Sequence, residues 1–491
     1  MTAVDSILRN STILAGAKVV SSAISLGLIV LLPRMLGNAE FGRLYLAIAF
    51  AGIFATFANL GLAQVVTREV ARDHGRSRYY LRAAIVLTLA LGGGLYLALP
   101  AIVTALGYSS YIAQLVLILG LGMIVDTWSQ MIASLFQAHE RMLVPALGRI
   151  TANAVTLVAL LALRPVTSAS VVAVVMVVAA AISLAIHAVP VPRLEGYRRA
   201  AAAVTGPSWR ALLVAGLPFL AWQALGLVYF RIGVIMLGRM TTDATVGWYG
   251  AAARLLDGLT FIPDTLMIAT FPVVARLWTT SQSEFQAASR KTLDILLLVT
   301  VPLVVFLFVL APDIVALLFT VPEFEPTVPI LRINAITLGI IFVDYYLATI
   351  LTAVGRERQW LAISVGACLL NPLLNWVLIR ETHLHYGNGG IGAALATLGT
   401  EIFVLIYALR LVPSGTFGAT STRVALRAAT AGALTAAVLV MGLTLGVPWM
   451  ASAAAGMLVY AGIVIRFRLV PDEVLRSVRG VLVWRTFTEV M

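Results

Sequence analysis

The chain has 491 residues, 60% of them hydrophobic and only 11% charged, with a mean hydropathy of +0.98. A globular domain carries about 25% charged residues, so the composition excludes most soluble-enzyme readings. The formal net charge of +12 does not argue for nucleic acid, because the basic residues lie mostly in short loops between apolar runs, the pattern of membrane topology and anionic headgroups.

Long uncharged stretches recur from Ser11 to Ile465, and each is long enough to cross a bilayer as a helix of about 20 apolar residues. Water cannot satisfy backbone groups in lipid, so such a chain must fold as a helical bundle. The hydropathy predicts about 14 spans, an all-α integral membrane protein. The first two cover 11–33 and 42–64. The N-terminal MTAVDSILRNS lacks a signal-peptide pattern, so the first run reads as a retained span. The next four cover 81–104, 111–137, 144–163 and 168–189, the last two meeting at Arg164-Pro165. A longer connection, 190–210, then separates six spans from those that follow. Those are 211–238, 246–274, 291–319, 328–353, 359–379 and 390–411. Two more, 423–446 and 448–466, precede a tail over 467–491. In that tail Val474, Leu475, Val478, Val481 and Leu482 interleave with Arg476, Arg479 and Arg485, which reads as a basic amphipathic helix on the cytoplasmic face.

Lys and Arg in the loops set the orientation. Alternate loops and adjoining span ends hold 25 of them on one side and 5 on the other. The asymmetry places both termini in the cytoplasm and agrees with an even number of spans. The connection at 190–210 is cytoplasmic, and a weak internal repeat straddles it. Phe41-Gly42-Arg43-Leu44-Tyr45 opens the second span as Val246-Gly247-Trp248-Tyr249 opens the eighth. Gln137-Ala138-His139-Glu140-Arg141 follows the fourth as Thr352-Ala353-Val354-Gly355-Arg356 follows the tenth. Both pairs lie six spans apart in the same orientation, the mark of a parallel repeat. The expected organisation is therefore a six-helix lobe over 1–189, a linker over 190–210, a second six-helix lobe over 211–411, two additional spans over 412–466, and the tail.

Several local motifs together carry a resemblance. Arg34-Met35-Leu36-Gly37, then Glu40-Phe41-Gly42 and Tyr45, form the first turn. Asn59-Leu60-Gly61-Leu62 and Thr67-Arg68-Glu69-Val70-Ala71-Arg72 close the second span. Phe136-Gln137-Ala138 with Glu140-Arg141-Met142 closes the fourth, Val246-Gly247 with Tyr249 and Ala251-Ala252 opens the eighth, and Gly390, Gly392-Ala393-Ala394 and Ala396-Thr397 open the twelfth. In this order along spans one to twelve they resemble the polysaccharide and O-antigen flippases of the MATE-like exporter superfamily, which also holds multidrug antiporters and peptidoglycan-precursor flippases. The resemblance implies two pseudo-symmetric six-helix lobes around a central cavity, alternating access, and a polyprenyl-diphosphate-linked oligosaccharide as cargo. The last two spans carry no recognised motif.

Ionisable groups inside spans are costly and mark function by default. Lys18 lies in the first span with Ser22 and Ser25 on the same stripe. Arg254, Asp257 and Asp264 fall within one arc of the eighth span, and Arg254 suits a diphosphate because its planar fork donates two parallel bonds. Asp257 would tune it, either as a structural ion pair or as part of the site. Arg231 is a further candidate for phosphate or sugar, Arg332 reads as interfacial, and Asn371 and Asn375 suit either cargo or helix packing. Asp126, Asp344 and Glu401 are mid-span acids without an evident local partner. With Asp264, they are the candidates for coupling to H+ or Na+, since a buried carboxyl holds its proton more tightly.

Cofactors are not expected. Cys368 is a single cysteine, read as a buried small apolar residue, and His383 and His385 lack the further ligands a metal needs. There is no phosphate-binding loop for nucleotide. The expected partners are the lipid-linked oligosaccharide, membrane lipids, and a glycan polymerase and glycosyltransferases of the same pathway, at the cell membrane and without nucleic acid. A drug/cation antiporter of the same fold is the alternative, disfavoured by intramembrane Lys and Arg. A membrane-embedded glycosyltransferase or polymerase is disfavoured by the short outward loops.

Overall fold

The computed structural model describes residues 3–165, 168–194, 197–198, 208–319 and 322–467, and for 3–15, 18, 19, 228, 419 and 420 the backbone alone. The amphipathic tail expected over 467–491 thus lies, beyond its first residue, outside the described residues, as does the side chain of Lys18.

Sixteen α-helices follow one another among the described residues. They are α1 (Ala3–Asn59), α2 (Leu62–Arg72), α3 (Ser77–Ala105), α4 (Ser110–Ala138), α5 (Leu143–Ala162), α6 (Ala169–Ala188), α7 (Trp209–Met240) and α8 (Asp243–Leu259). Then come α9 (Phe261–Thr280), α10 (Gln282–Val309), α11 (Ala311–Phe319), α12 (Thr327–Ala353), α13 (Glu357–Tyr386), α14 (Gly389–Leu411), α15 (Ala419–Thr444) and α16 (Trp449–Arg466). Among the described residues thirteen helical stretches are long and apolar enough to cross a membrane. The first of them, Val20–Arg72, holds the two spans expected there, so the count agrees with the 14 expected.

The breaks follow from local chemistry. Inside α1, Pro33 cannot donate to the carbonyl of Ile29, and Gly37 takes a non-helical conformation (φ 71°, ψ 178°) open to few other residues. The second expected span stops at Asn59, five residues early. The chain turns through Leu60 (φ 51°) and Gly61 (φ 69°), and Asn59 Oδ1 accepts the amide of Ala63 at 3.4 Å to start α2. The eighth expected span is two helices meeting at Thr260, because Pro263 removes the bond to the Leu259 carbonyl. The ninth breaks at Leu310, where Pro312 frees the Phe308 carbonyl. Arg332 Nε donates to that carbonyl at 3.3 Å, which gives this arginine a structural task beyond its expected interfacial seat.

By compactness the chain divides into two units, Met1–Gly258 with Asn371–Ala393, and Leu259–Leu370 with Ala394–Met491. The lobe boundaries expected at 189 and 211 describe a repeat, and this division does not fall on them.

In the first unit α4 packs on α6, α3, α1 and α2, and α1 also packs on α5 and α7. Leu62, Val66, Val70, Met131, Leu135 and Phe136 form the centre of an apolar core in this unit. Where α1 and α8 cross, two glycines meet. A Cβ on Gly42 would lie 1.9 Å from the Asp243 carbonyl oxygen, and one on Gly247 would lie 2.0 Å from that of Asn38. Each glycine faces the carbonyl four residues before the other. The contact is reciprocal, and it joins the two positions aligned by the sequence repeat. Beside it Arg43 bridges Asp243 and Glu40, both at 2.6 Å, and Glu40 accepts from Tyr111 Oη and the Ala169 amide, each at 2.9 Å.

In the second unit α10 packs against α9, α12 and α15. The last two helices pair with each other and are fastened to α10 by Ala431, Tyr460 and Val464, with Tyr460 Oη donating to the Leu298 carbonyl at 2.9 Å.

Candidate functional site

The second arm of α1 carries Phe41 and Tyr45 one turn apart, both buried, with ring centroids 6.1 Å apart. Arg254 of α8 lays its guanidinium 5.6 Å from the centroid of each ring, a cation–π seat that favours a cation removed from bulk water. Arg231 of α7 donates from Nη1 to Tyr45 Oη at 3.4 Å. Asp257, one turn beyond Arg254, lies within Coulombic reach of both arginines. Arg231 and Arg254 are half-buried as residues and Asp257 is exposed. Two positive charges and one negative charge thus share one place in a membrane-spanning region. Such a centre prefers an anion, and planar guanidinium forks fit phosphate oxygens. The sequence named Arg231, Arg254 and Asp257 but not the aromatic platform. The Tyr45 motif was visible, yet nothing local tied it to residues about 200 positions away.

Asp264 lies on a different helix from Arg254 and Asp257. It falls beyond the break at Thr260, half-buried at the start of α9 in the second unit, so the single arc expected on one helix is not formed. Asn371 and Asn375 are buried in the first unit. Asn375 Nδ2 donates to the carbonyl of Asn371 at 2.9 Å and to its Oδ1 at 2.8 Å, with Gly233 of α7 close by.

Asp126 has a partner that the sequence did not reveal. Gln130 Nε2 donates to its Oδ2 at 2.7 Å, and Gln130 Oε1 accepts from Asn59 Nδ2 at 3.3 Å. Asp126 and Gln130 line a cavity of about 900 Å3 within the first unit, bordered also by Gln64, Arg68, Arg149 and Asn153. Asn153 Nδ2 donates to Ser21 Oγ at 2.9 Å and Ser25 Oγ at 3.1 Å. His187, at the end of α6, closes one wall and shares a hydrogen bond of 2.6 Å between its Nδ1 and Ser129 Oγ.

In the second unit the structure brings together Asp344 of α12 and Glu401 of α14, both buried. Among the described residues, neither Asp344 oxygen is reached by an amide, hydroxyl or guanidinium. The group beside it is the Glu401 carboxyl. Two carboxyl groups can hydrogen-bond only when one keeps a proton, and otherwise place like charges side by side in a low-dielectric interior. Among the described residues no group of three or more His, Cys, Asp and Glu side chains is placed to hold a metal ion.

No curated protein matches the chain by sequence. Among solved structures, the lipid II flippase MurJ in an inward closed conformation superposes with a TM-score of 0.73 at 15% identity, over 92% of this chain and 98% of that chain. An inward-facing multidrug resistance MATE family transporter of the MOP superfamily gives 0.64 at 15% identity, over 79% and 93%. A MOP superfamily transporter from Pyrococcus furiosus, titled for the reverse polarity of its binding pocket, gives 0.54 at 14% identity, over 82% and 95%. The fold is therefore that of the MOP superfamily. A MatE family model matches residues 218–377. The model described as polysaccharide biosynthesis protein matches residues 7–278, more than half the chain, and the chain belongs to that family of multi-pass membrane proteins.

Proposed function

We propose that the protein is a flippase that moves a polyprenyl-diphosphate-linked oligosaccharide from the cytoplasmic to the outer leaflet by alternating access. The observation that carries this reading is the centre at Arg231 and Arg254, two intramembrane cations against one acid, Asp257. A diphosphate supplies the anion that such a centre needs. The polysaccharide biosynthesis family supports a glycan cargo, and the structural likeness to a lipid II flippase supports a lipid-linked one. No covalent chemistry is required, and the protein is read as a transporter rather than an enzyme.

The mechanical frame of the proposal is the repeat, with lobes at 1–189 and 211–411, the linker 190–210 and two additional spans within 412–466. The reading places the protein in the cell membrane with both termini cytoplasmic. It makes glycosyltransferases and a glycan polymerase its neighbours in the pathway, and it couples transport to H+ or Na+ through intramembrane acids, foremost Asp344 and Glu401.

The test is glycan display at the surface of cells whose own flippase gene is deleted. The wild-type chain should restore display, and Arg231→Gln with Arg254→Gln should abolish it at equal membrane abundance. Display at the wild-type level in the double variant would show that the centre is misassigned. A drug/cation antiporter is the second reading, favoured by the acid pair in the second unit. Drug resistance conferred without any glycan phenotype would select it.

A further inference from the structure

Five residues of α8 fall on one face of that helix. Asp243, Gly247, Gly250, Arg254 and Asp257 recur at steps of four and three, the spacing that aligns side chains along a helix. The first four meet α1 in turn. The Asp243 carboxylate accepts from Arg43 Nε at 2.6 Å, and Gly247 closes on the Asn38 carbonyl. Gly250 lies against Tyr45: a Cβ there would sit 2.6 Å from Tyr45 Cδ1 and 2.8 Å from its Cγ. Arg254 reaches the rings of Phe41 and Tyr45. The Tyr45 hydroxyl oxygen meanwhile accepts from Arg231 of α7. All these residues belong to the first unit. The glycine crossing and the arginine centre are thus two ends of one interface, and Tyr45 of α1 touches both α7 and α8 within it.

On the α1 side the two guanidinium groups rest on weak acceptors, namely ring faces and a phenol oxygen. A phosphate oxygen is ionised, and a charge-assisted hydrogen bond is about twice as strong as a neutral one. A diphosphate at this centre therefore draws the guanidinium groups away from Tyr45 and Phe41. The second arm of α1 then gives up part of its hold on α7 and α8, and the crossing relies on the glycine contact and the Arg43–Asp243 pair. The competition also runs in reverse. An anion binds better where the rings have already withdrawn, so its binding shifts the population toward a parted crossing.

We propose that Tyr45 is a positioning residue that ties the arginine centre to the α1–α8 crossing, so that an anion held by Arg231 and Arg254 loosens that crossing. The inference rests on the flippase reading above and names how occupancy of its anion site is passed on. The loop charges assign the crossing to the outer side, so the loosened end is the one through which cargo leaves.

The experiment uses the full chain with Cys368→Ser, purified in detergent, and one introduced thiol, Leu46→Cys or Val246→Cys. Both residues are fully buried. Leu46 packs against Gly238 of α7, and Val246 precedes Gly247 in α8. Maleimide labelling is timed in sodium pyrophosphate and in sodium chloride of equal ionic strength, and pyrophosphate binding is measured by calorimetry. Pyrophosphate should speed labelling about tenfold, within the range usual for coupled sites. With Tyr45→Leu added, labelling should be fast in both salts and the ratio should fall to about one, while pyrophosphate still binds at least as tightly. Tyr45→Phe keeps a ring for Arg254 and should keep most of the ratio. A ring needed only for packing would leave the ratio in Tyr45→Leu at the parent value, and that result would overturn the inference. So would pyrophosphate that binds the parent without changing its labelling, or chloride that acts as strongly; the flippase reading would survive either. Should Tyr45→Leu not fold, the parent's own response to pyrophosphate decides. No binding of pyrophosphate or of polyprenyl diphosphate to the parent would bring down the anion site, and this inference with it.

Discussion

The crossing of α1 and α8 offers a sharp test, because it tolerates no side chain. In Gly42→Ala the new methyl would sit 1.9 Å from the Asp243 carbonyl oxygen, 2.8 Å from the Gly247 nitrogen and 2.9 Å from the Asp243 carbonyl carbon. All three are backbone atoms of a helix and cannot rotate away. Ordinary contact begins near 3.4 Å, so the helices must part by about 1.5 Å. Overpacking of this kind costs about 1–3 kcal/mol, and an unyielding backbone places it near the top of that range. Alanine recovers up to about 1 kcal/mol over glycine in a helix, which leaves a net loss of about 2 kcal/mol. Gly52 of the same helix is the control, since a Cβ there meets nothing within 4 Å. Thermal unfolding of the purified protein in detergent should show Gly42→Ala and Gly247→Ala melting well below the parent, and Gly52→Ala at or above it. If Gly42→Ala melts with Gly52→Ala, the close approach is not a feature of the folded protein.

Three further outcomes follow from other contacts. Arg43 and Asp243 are each about one third exposed or less, so screening limits their pair to about 1 kcal/mol. Exchanging the two charges should recover part of what either single reversal loses, and strictly additive losses in a double-mutant cycle would dismiss the pair. His139, in the turn after α4, has its pKa pushed down to about 4 by burial, then by His74 and Arg141 nearby. The unfolded chain therefore takes up a proton first, and stability present above the ordinary value of 6.5 is lost as pH falls toward about 4. Melting at pH 5 against pH 7.5 should show this loss, and His139→Gln should lessen it; an equal loss in both would refute the assignment. Finally, Asp344→Asn or Glu401→Gln should remove the dependence of glycan export on an imposed pH gradient, and a gradient response unchanged in both variants would separate the acid pair from coupling.

Much of the fold was legible because lipid is a demanding solvent. It forces long apolar runs into helices, and run length alone located the crossings. The interruptions were less legible. Pro33, Pro263 and Pro312 were visible, but whether proline bends a helix or ends it depends on what takes the freed carbonyl, as Arg332 does for Phe308. The site was legible in its charged members and hidden in its neutral ones. Arg231 and Arg254 stand out in a membrane span, whereas Tyr45 and Phe41 look like ordinary core until the fold brings the guanidinium over them. The cavity was hidden further still, since Gln64, Gln130 and Asn153 lie on three helices and none is unusual alone. Asp344 and Glu401 were each expected to stand alone, because no periodicity links residues 57 positions apart.

The helix α13 is shared, since its first part, to Leu370, belongs to one compact unit and its remainder, from Asn371, to the other. Pro372 sits just past that passage. Lacking an N–H, it leaves unpaired the helical carbonyl of Cys368. The single thiol of the chain therefore lies on the turn where this helix is softest. It is half-buried rather than enclosed as expected from its apolar surroundings. For spectroscopy this is a convenience supplied by the native sequence. A probe attached at Cys368 needs no engineered cysteine and no background to remove, and its signal would come from the place where α13 is best able to bend.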